Sequence, residues 1–213
     1  MAKFDHGDWG TRRRKLYEAI VDLIPKEDIV NKRILEVGCG VGHLGMMFYE
    51  LTPHIIGFDV REEHIEDAKK LHPELEFFVW DMDIGWPDIT GVDIIFHIGT
   101  LYHLSDPRKN LLELCALLKP NQYVILETEF VNSADPDKTV GVKQKGYNVS
   151  YERIGNRPSH AMIEGILESC NMRFHRVMTN KYNSAYYQYD APYSDDNSLD
   201  ERAIRGIWYF YKE

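Results

Sequence analysis

The chain has 213 residues, enough for one large domain with a substantial buried core. Its formal net charge of −9 argues against tight nonspecific binding to nucleic acid, because phosphates release counterions only to a basic surface. No apolar run approaches the roughly 20 residues of a membrane span, and the first residues lack an apolar signal-peptide core. We therefore expect a cytoplasmic protein without membrane contact.

The three cysteines, Cys39, Cys115 and Cys170, are far apart in the sequence. Their spacing matches no zinc site, and an odd number argues against a disulfide framework. We therefore expect a reducing compartment and no bound metal.

The first thirty residues combine an irregular aromatic stretch with one amphipathic segment. Apolar residues recur at helical spacing at Leu16, Ile20 and Ile24, which predicts a helix that ends near Pro25. The basic run at residues 12–15 has two interpretations, a solvated helix start or a contact with an anionic substrate or cofactor carboxylate.

A glycine-rich turn follows the first predicted strand, at residues 34–37, and a helix leaves the turn. Three glycines let the backbone turn tightly and approach a ligand, namely Gly38, Gly40 and Gly42. A dinucleotide-binding loop requires glycine or alanine where this chain has His43, and the acid Glu36 would be poorly placed near a pyrophosphate. Glu36 suits a ligand with an ammonium group, which disfavours a nicotinamide-dependent oxidoreductase.

Acidic residues end the next two predicted strands. Asp59 follows the apolar run at residues 55–58, where a carboxylate can accept hydrogen bonds from both hydroxyls of a ribose. Asp81 follows the run at residues 77–80, where it can accept a hydrogen bond from the exocyclic amine of adenine. The carboxyl ends of parallel strands are where such folds bind ligands, so we expect these acids to share one cleft with the glycine loop.

Over residues 32–130 the sequence resembles the class I S-adenosylmethionine-dependent methyltransferases. The glycine loop resembles the first motif of that family. Asp59 corresponds to the acidic residue that binds the ribose, and residues 93–104 resemble the strand that runs into the reaction cleft. The resemblance implies S-adenosyl-L-methionine as cofactor, with these residues around it: Trp9, Glu36, Gly38, Cys39, Gly40, Gly42, Asp59, Val60, Asp81, Met82 and Ile98.

The alternation of predicted strands and helices indicates an α/β fold with a doubly wound sheet. The resemblance implies one Rossmann-like domain over residues 1–213, with seven strands in the order 3-2-1-4-5-7-6, the last antiparallel, and helices on both faces. It also implies that residues 1–30 can act as a cofactor lid. Residues 132–157 and 183–201 are candidate substrate loops or, alternatively, ordinary packed surface loops.

Methyl transfer requires the acceptor to stand in line with the methyl group at about 3 Å, and a hydroxyl or ammonium acceptor also requires a base. We predict His103 as that base, because its ordinary pKa is near neutrality, or as a residue that hydrogen-bonds locally before the next helix. Tyr102 is expected to shape the pocket, and His97 to be a core histidine. Glu127 is a candidate base or cation-binding residue, or a surface carboxylate.

We therefore predict transfer of a methyl group to oxygen or nitrogen of a small-molecule acceptor by in-line displacement, with nucleic acid not expected as a partner.

A second resemblance gives an alternative function. Asp8-Trp9 and the segments 99–103 and 157–159 resemble a branch that modifies wobble uridines in tRNA, transferring carboxymethyl from carboxy-S-adenosylmethionine. Arg12, Arg13 or Lys15 would then meet the extra carboxylate. A relative that binds cofactor without turnover is a further alternative.

Overall fold

The computed structural model describes residues 8–88, 90–143, 154–183, 189 and 204–213, with the backbone alone for residues 8, 9, 142, 143 and 154. Seven strands form the main sheet: β1 (Ile34–Val37), β2 (Ile55–Asp59), β3 (Glu76–Val79), β4 (Ile94–Ile98), β5 (Tyr123–Phe130), β8 (Met172–Val177) and β9 (Ile204–Lys212). Two further strands pair with each other, β6 (Thr139–Lys143) and β7 (Ile154–Pro158).

The α-helices are α1 (Asp8–Leu23), α2 (Lys26–Ile29), α3 (His43–Met46), α4 (Glu62–Leu71), α5 (Pro107–Leu117) and α6 (His160–Ser169). Short 3₁₀ helices span Met82–Ile84, Leu101–His103 and Asn180–Tyr182. Within the described part of the chain, no helix has the length and apolar character to cross a bilayer.

The order of the main sheet is β3-β2-β1-β4-β5-β9-β8. Strands β1 to β5 run parallel to one another, and β9 runs antiparallel to both β5 and β8. Numbered within this sheet alone, the order is 3-2-1-4-5-7-6 with an antiparallel last strand, so the predicted topology is confirmed. The carboxyl ends of β1, β2 and β4 consequently meet at one edge.

Two apolar cores flank the sheet, because neighbouring side chains of a strand point to opposite faces. On β4, Ile95 packs with helices α5 and α6, whereas Ile94 and Phe96 pack with α1, α3 and α4. The predicted helices on both faces are therefore confirmed. His97 is fully buried in β4 beside Asn110, as predicted for a core histidine.

Two segments differ in detail from the sequence prediction. The apolar spacing after the glycine loop predicts a helix that continues to residue 51, but the α-helix ends at Met46. The N–H groups of Met47 and Phe48 bond to carbonyls three residues back, so the chain continues in tighter turns. Strands β6 and β7 form an antiparallel pair within the polar stretch that we predicted as a loop. The connection between them, residues 144–153, lies outside the described residues.

Candidate functional site

A cavity of about 220 Å³ opens at the carboxyl ends of β1, β2 and β4. Its wall includes most of the residues predicted at the site: Glu36, Gly38, Cys39, Gly40, Asp59, Val60, Asp81, Met82, Ile98, Tyr102 and His103. Helix α1 adds Arg12, Arg13 and Leu16 to this wall, so the N-terminal helix covers one side of the cavity. The side chain of Trp9 lies outside what the structure describes.

The glycine loop exposes its backbone to the cavity. Gly38 has a φ of 63°, and a Cβ on it would lie 2.2 Å from the Thr100 hydroxyl oxygen, which donates a hydrogen bond to the Val37 carbonyl at 3.0 Å. Gly40 also has positive φ, but a Cβ there would meet nothing within 4 Å. Gly42 does not line the cavity, because it lies on the side of the loop that packs against Phe77.

Glu36 is the buried acid of the site. Its Oε2 atom accepts a hydrogen bond from the N–H of Gly45 at 2.9 Å, and the side chain lines the cavity. Burial raises the pKa of Glu36 to about 8, although the Gly45 hydrogen bond and the charge of Arg13 oppose the rise. A cationic group in the cavity would restore the carboxylate, so Glu36 is suited to an ammonium ligand.

Asp59 accepts two backbone hydrogen bonds at the end of β2 and lies beside His64. Its Oδ2 accepts from the N–H of Gly40 and its Oδ1 from the N–H of Arg61, each at 3.0 Å, while His64 Nδ1 lies 3.4 Å from Oδ1. Burial opposes ionisation, but the hydrogen bonds from His64, Arg61 and Gly40 outweigh it and lower the pKa of Asp59. The charged carboxylate is thereby fixed next to the glycine loop.

Asp81 lines the cavity beyond the end of β3. Its Oδ1 accepts a hydrogen bond from the N–H of Asp83 at 3.0 Å, which caps the 3₁₀ helix that begins at Met82. Met82 is buried and, together with Phe58 and Leu104, gives the cavity an apolar wall. A polar acceptor beside apolar side chains is suited to the flat face and amine edge of a nucleobase.

A buried cluster of charged and phenolic groups adjoins the cavity beside Gly99. We call it the arginine cluster, and it contains Arg12, Tyr102, Glu127, Glu129, Arg157, Tyr189 and Arg205. Glu127 is fully buried, and both of its oxygens accept hydrogen bonds from Arg205 Nη1, at 2.8 and 2.9 Å. Arg12 Nη2 lies 3.3 Å from Glu127 Oε2.

Arg205 also connects Glu127 to the cavity wall. Its Nη2 donates to the Tyr102 hydroxyl oxygen at 2.8 Å and to Glu129 Oε1 at 3.3 Å, and Arg157 donates to Glu129 Oε2 at 2.7 Å. The cluster therefore joins three guanidinium groups with two carboxylates, and Arg12 and Tyr102 bring it to the surface of the cavity.

The predicted catalytic residues occupy different positions. His103 lines the cavity, with its ring centroid 4.0 Å from that of Tyr102. Glu127 lies behind the wall, and burial opposes its ionisation, but Arg205 and Arg12 outweigh that effect and lower its pKa. The role of each as a base stays a prediction. Of the two candidate substrate loops, residues 144–153, 184–188 and 190–201 lie outside the described residues.

Sequence reasoning did not find Arg205. It is 1% exposed in β9, which begins at Ile204, whereas the apolar and aromatic run that predicts a last strand spans residues 207–211 and leaves Arg205 out. The available signal was an arginine within an otherwise apolar and aromatic strand, because a charge at such a position is rarely buried without a partner.

A family profile described as a methyltransferase domain matches residues 9–174, most of the chain. The chain belongs to the methyltransferase domain family. The cofactor of these methyltransferases is S-adenosylmethionine, as predicted. The bare loop at Gly40, the buried Glu36 and the ionised Asp59 offer a backbone cradle, a partner for an ammonium group and an acceptor for ribose hydroxyls, so these residues fit the cofactor.

Two relatives of this methyltransferase have the same name, tRNA U34 carboxymethyltransferase. The protein of Shewanella amazonensis is 29% identical over 178 residues, which cover 80% of this chain and 53% of the relative. The protein of Campylobacter jejuni is 26% identical over 187 residues, which cover 81% and 60%. The chain thus spans little more than half the length of these curated relatives.

Among solved structures, an S-adenosylmethionine-dependent methyltransferase from Mesorhizobium loti is similar to this methyltransferase with a TM-score of 0.64. The two chains are 13% identical, and the alignment covers 98% of this chain and 99% of the other. At this identity the likeness shows the shared fold, and it agrees with the sheet order described above.

Proposed function

We propose that this methyltransferase domain transfers a carboxymethyl group from a carboxylated S-adenosylmethionine to a uridine of tRNA. The observation that carries the proposal is the arginine cluster, because Arg12 and Tyr102 present it at the cavity wall with Arg205 directly behind. The named activity of the two relatives supports the same reaction. Carboxymethyl transfer to tRNA therefore replaces methyl transfer to a small molecule as the preferred interpretation of the sequence.

The position of the cluster supports an anionic donor. Arg13, next to Arg12 on α1, lies close enough to Glu36 to lower the pKa of that acid. The arginines of α1 therefore stand near Glu36, which would hold the amino-acid part of the cofactor. A carboxylate carried on the transferred carbon would meet guanidinium groups there, and charge-assisted hydrogen bonds to arginine are among the stronger contacts available.

When bound, the cofactor supplies an activated carbon on a sulfonium whose sulfur leaves as a neutral thioether. The residues of the chain provide orientation and proton transfer. Arg12 and Tyr102 would hold the carboxylate and so orient the transferred carbon toward the hydroxyl of the acceptor. His103, on the cavity wall, takes the proton of the acceptor hydroxyl.

The test supplies the purified protein with S-adenosylmethionine or its carboxylated derivative, and with tRNA or a panel of small hydroxyl and amine acceptors. Mass spectrometry of digested nucleosides identifies the transferred group. We expect a carboxymethyl group on a uridine, formed only with the carboxylated donor. Transfer to the small acceptors alone, or of methyl alone, would overturn the proposal.

Methyl transfer to a small molecule is the second candidate, because the formal net charge of −9 is unfavourable for binding a polyanion. Salt dependence separates the two candidates. Turnover on tRNA should fall steeply as salt is raised, since counterions are released at each phosphate contact, whereas turnover of a neutral small acceptor should change little.

A further inference from the structure

Glu127 is the central acceptor of the arginine cluster. A carboxylate offers about four hydrogen-bonding sites, and four contacts from three residues reach this one: two from Arg205, one from Arg12 and one from the Tyr189 hydroxyl, which donates to Oε1 at 3.0 Å. The side chain is fully buried and does not line the cavity. Any effect of Glu127 on a bound donor must therefore pass through these partners.

The contacts of Arg205 explain how such an effect reaches the cavity. Its Nη1 atom is fixed on both oxygens of Glu127, which sets the plane of the guanidinium group. The same plane directs Nη2 to the Tyr102 hydroxyl at 2.8 Å, and Tyr102 lines the cavity. A shift of the Glu127 carboxylate would thus move both groups that face the donor, Arg12 directly and Tyr102 through Arg205.

Tyr189 shares Oε1 of Glu127 with Arg205. It is 1% exposed, and its N–H donates to the side-chain oxygen of Asn183 at 2.8 Å, so it is anchored at both ends. Hydrogen bonds in a buried network support one another, and removing one donor leaves part of the carboxylate's charge without a partner. Loss of the Tyr189 hydroxyl would therefore weaken the hold of Glu127 on Arg205 and, through Arg205, on Tyr102.

We propose that Glu127 and Tyr189 are positioning residues that set the donor preference of the site, by holding Arg12 directly and Tyr102 through Arg205 where these two residues meet an anionic group on the cofactor. This inference rests on the proposed function. It assigns Glu127 a role other than the base predicted from the sequence, and it gives Tyr189, from the candidate substrate loop 183–201, a role at the donor end of the cavity.

The experiment measures the dissociation constants of S-adenosylmethionine and of its carboxylated derivative by calorimetry, for the wild type and for Tyr189→Phe. The matched control is Tyr182→Phe, because the Tyr182 hydroxyl bonds to Asp22, away from the cluster. We expect the wild type to prefer the carboxylated donor. Tyr189→Phe should reduce that preference about tenfold, the effect of losing one hydrogen bond to a charged group, through weaker binding of the carboxylated donor alone.

A merely structural role for Tyr189 would weaken both donors equally, and that result would overturn the inference, as would an unchanged preference in Tyr189→Phe or an equal loss in Tyr182→Phe. Glu127→Gln is a second variant, and it should reduce the preference further if it folds. A wild type without any preference would overturn the carboxylated donor of the proposed function itself, so the two failures are distinguishable.

Discussion

The carboxylate of Glu36 accepts a hydrogen bond from the N–H of Gly45 at 2.9 Å, which joins the end of β1 to the helix beyond the glycine loop through one buried side chain. A Cβ at position 45 would lie 2.7 Å from the same oxygen. The acid that suits the ammonium group of the cofactor therefore also fixes the shape of the loop around it.

The first prediction concerns Gly45→Ala. The added methyl group must displace Glu36, so we expect the affinity for S-adenosylmethionine to fall by about tenfold or more, measured by calorimetry. The matched control is Gly165→Ala in α6, where a Cβ would meet nothing within 4 Å. That variant should bind normally and be more stable by about 1 kcal/mol, because alanine is the better helix former. Equal affinities of the two variants would contradict the prediction.

The second prediction is a proton released on cofactor binding. In the free protein the pKa of Glu36 is raised to about 8 by burial, so the group is largely protonated at neutral pH. An ammonium group beside it lowers that pKa, and binding then expels the proton. Affinity should therefore rise with pH, by up to about tenfold per unit, until about pH 8.

Calorimetry in buffers of different ionisation enthalpy counts the released proton, with about one expected at neutral pH. Glu36→Gln has no ionisable group at this position and should bind more weakly, with neither the proton release nor the rise in affinity. An affinity that falls as the pH increases would contradict the ammonium role of Glu36.

The third prediction concerns the ribose acid. Asp59→Asn removes the charge that accepts hydrogen bonds from ribose hydroxyls, so the affinity for S-adenosylmethionine should fall more than tenfold. Asp93→Asn is the matched control. Asp93 also accepts a hydrogen bond from a backbone N–H, that of Arg33 at 2.9 Å, but it precedes the amino end of β4, whereas the cavity lies at the carboxyl end. Unchanged affinity in Asp59→Asn would refute the ribose assignment.

The fourth prediction separates catalysis from binding at His103. If this residue takes the acceptor proton, His103→Gln should lower kcat about a hundredfold and leave the dissociation constant of the cofactor unchanged. His54→Gln, at an exposed position before β2, should have wild-type values for both. A matching loss in kcat and cofactor affinity would assign His103 a structural role next to Tyr102.

Much of the candidate cofactor site could be predicted from the sequence because each part of it is local. A strand, its terminal acid and the following turn are contiguous, and parallel strands place their carboxyl ends at one edge whatever the loops between them. Glu36, Asp59 and Asp81 could therefore be assigned to one cleft before any contact was known. Short apolar runs likewise predicted the strands, and the family resemblance supplied their order.

The arginine cluster was decided only by the tertiary structure. Arg12, Glu127 and Arg205 come from a helix and two strands that are remote in sequence, and no periodicity relates them. Strand β9 pairs antiparallel with β5, and this pairing places Arg205 opposite Glu129 and Gly206 opposite Thr128. From that position the side chain of Arg205 reaches Glu127 in the interior. The sequence determined the cleft through short-range patterns, whereas the charges beside it depend on strand pairing across the whole chain.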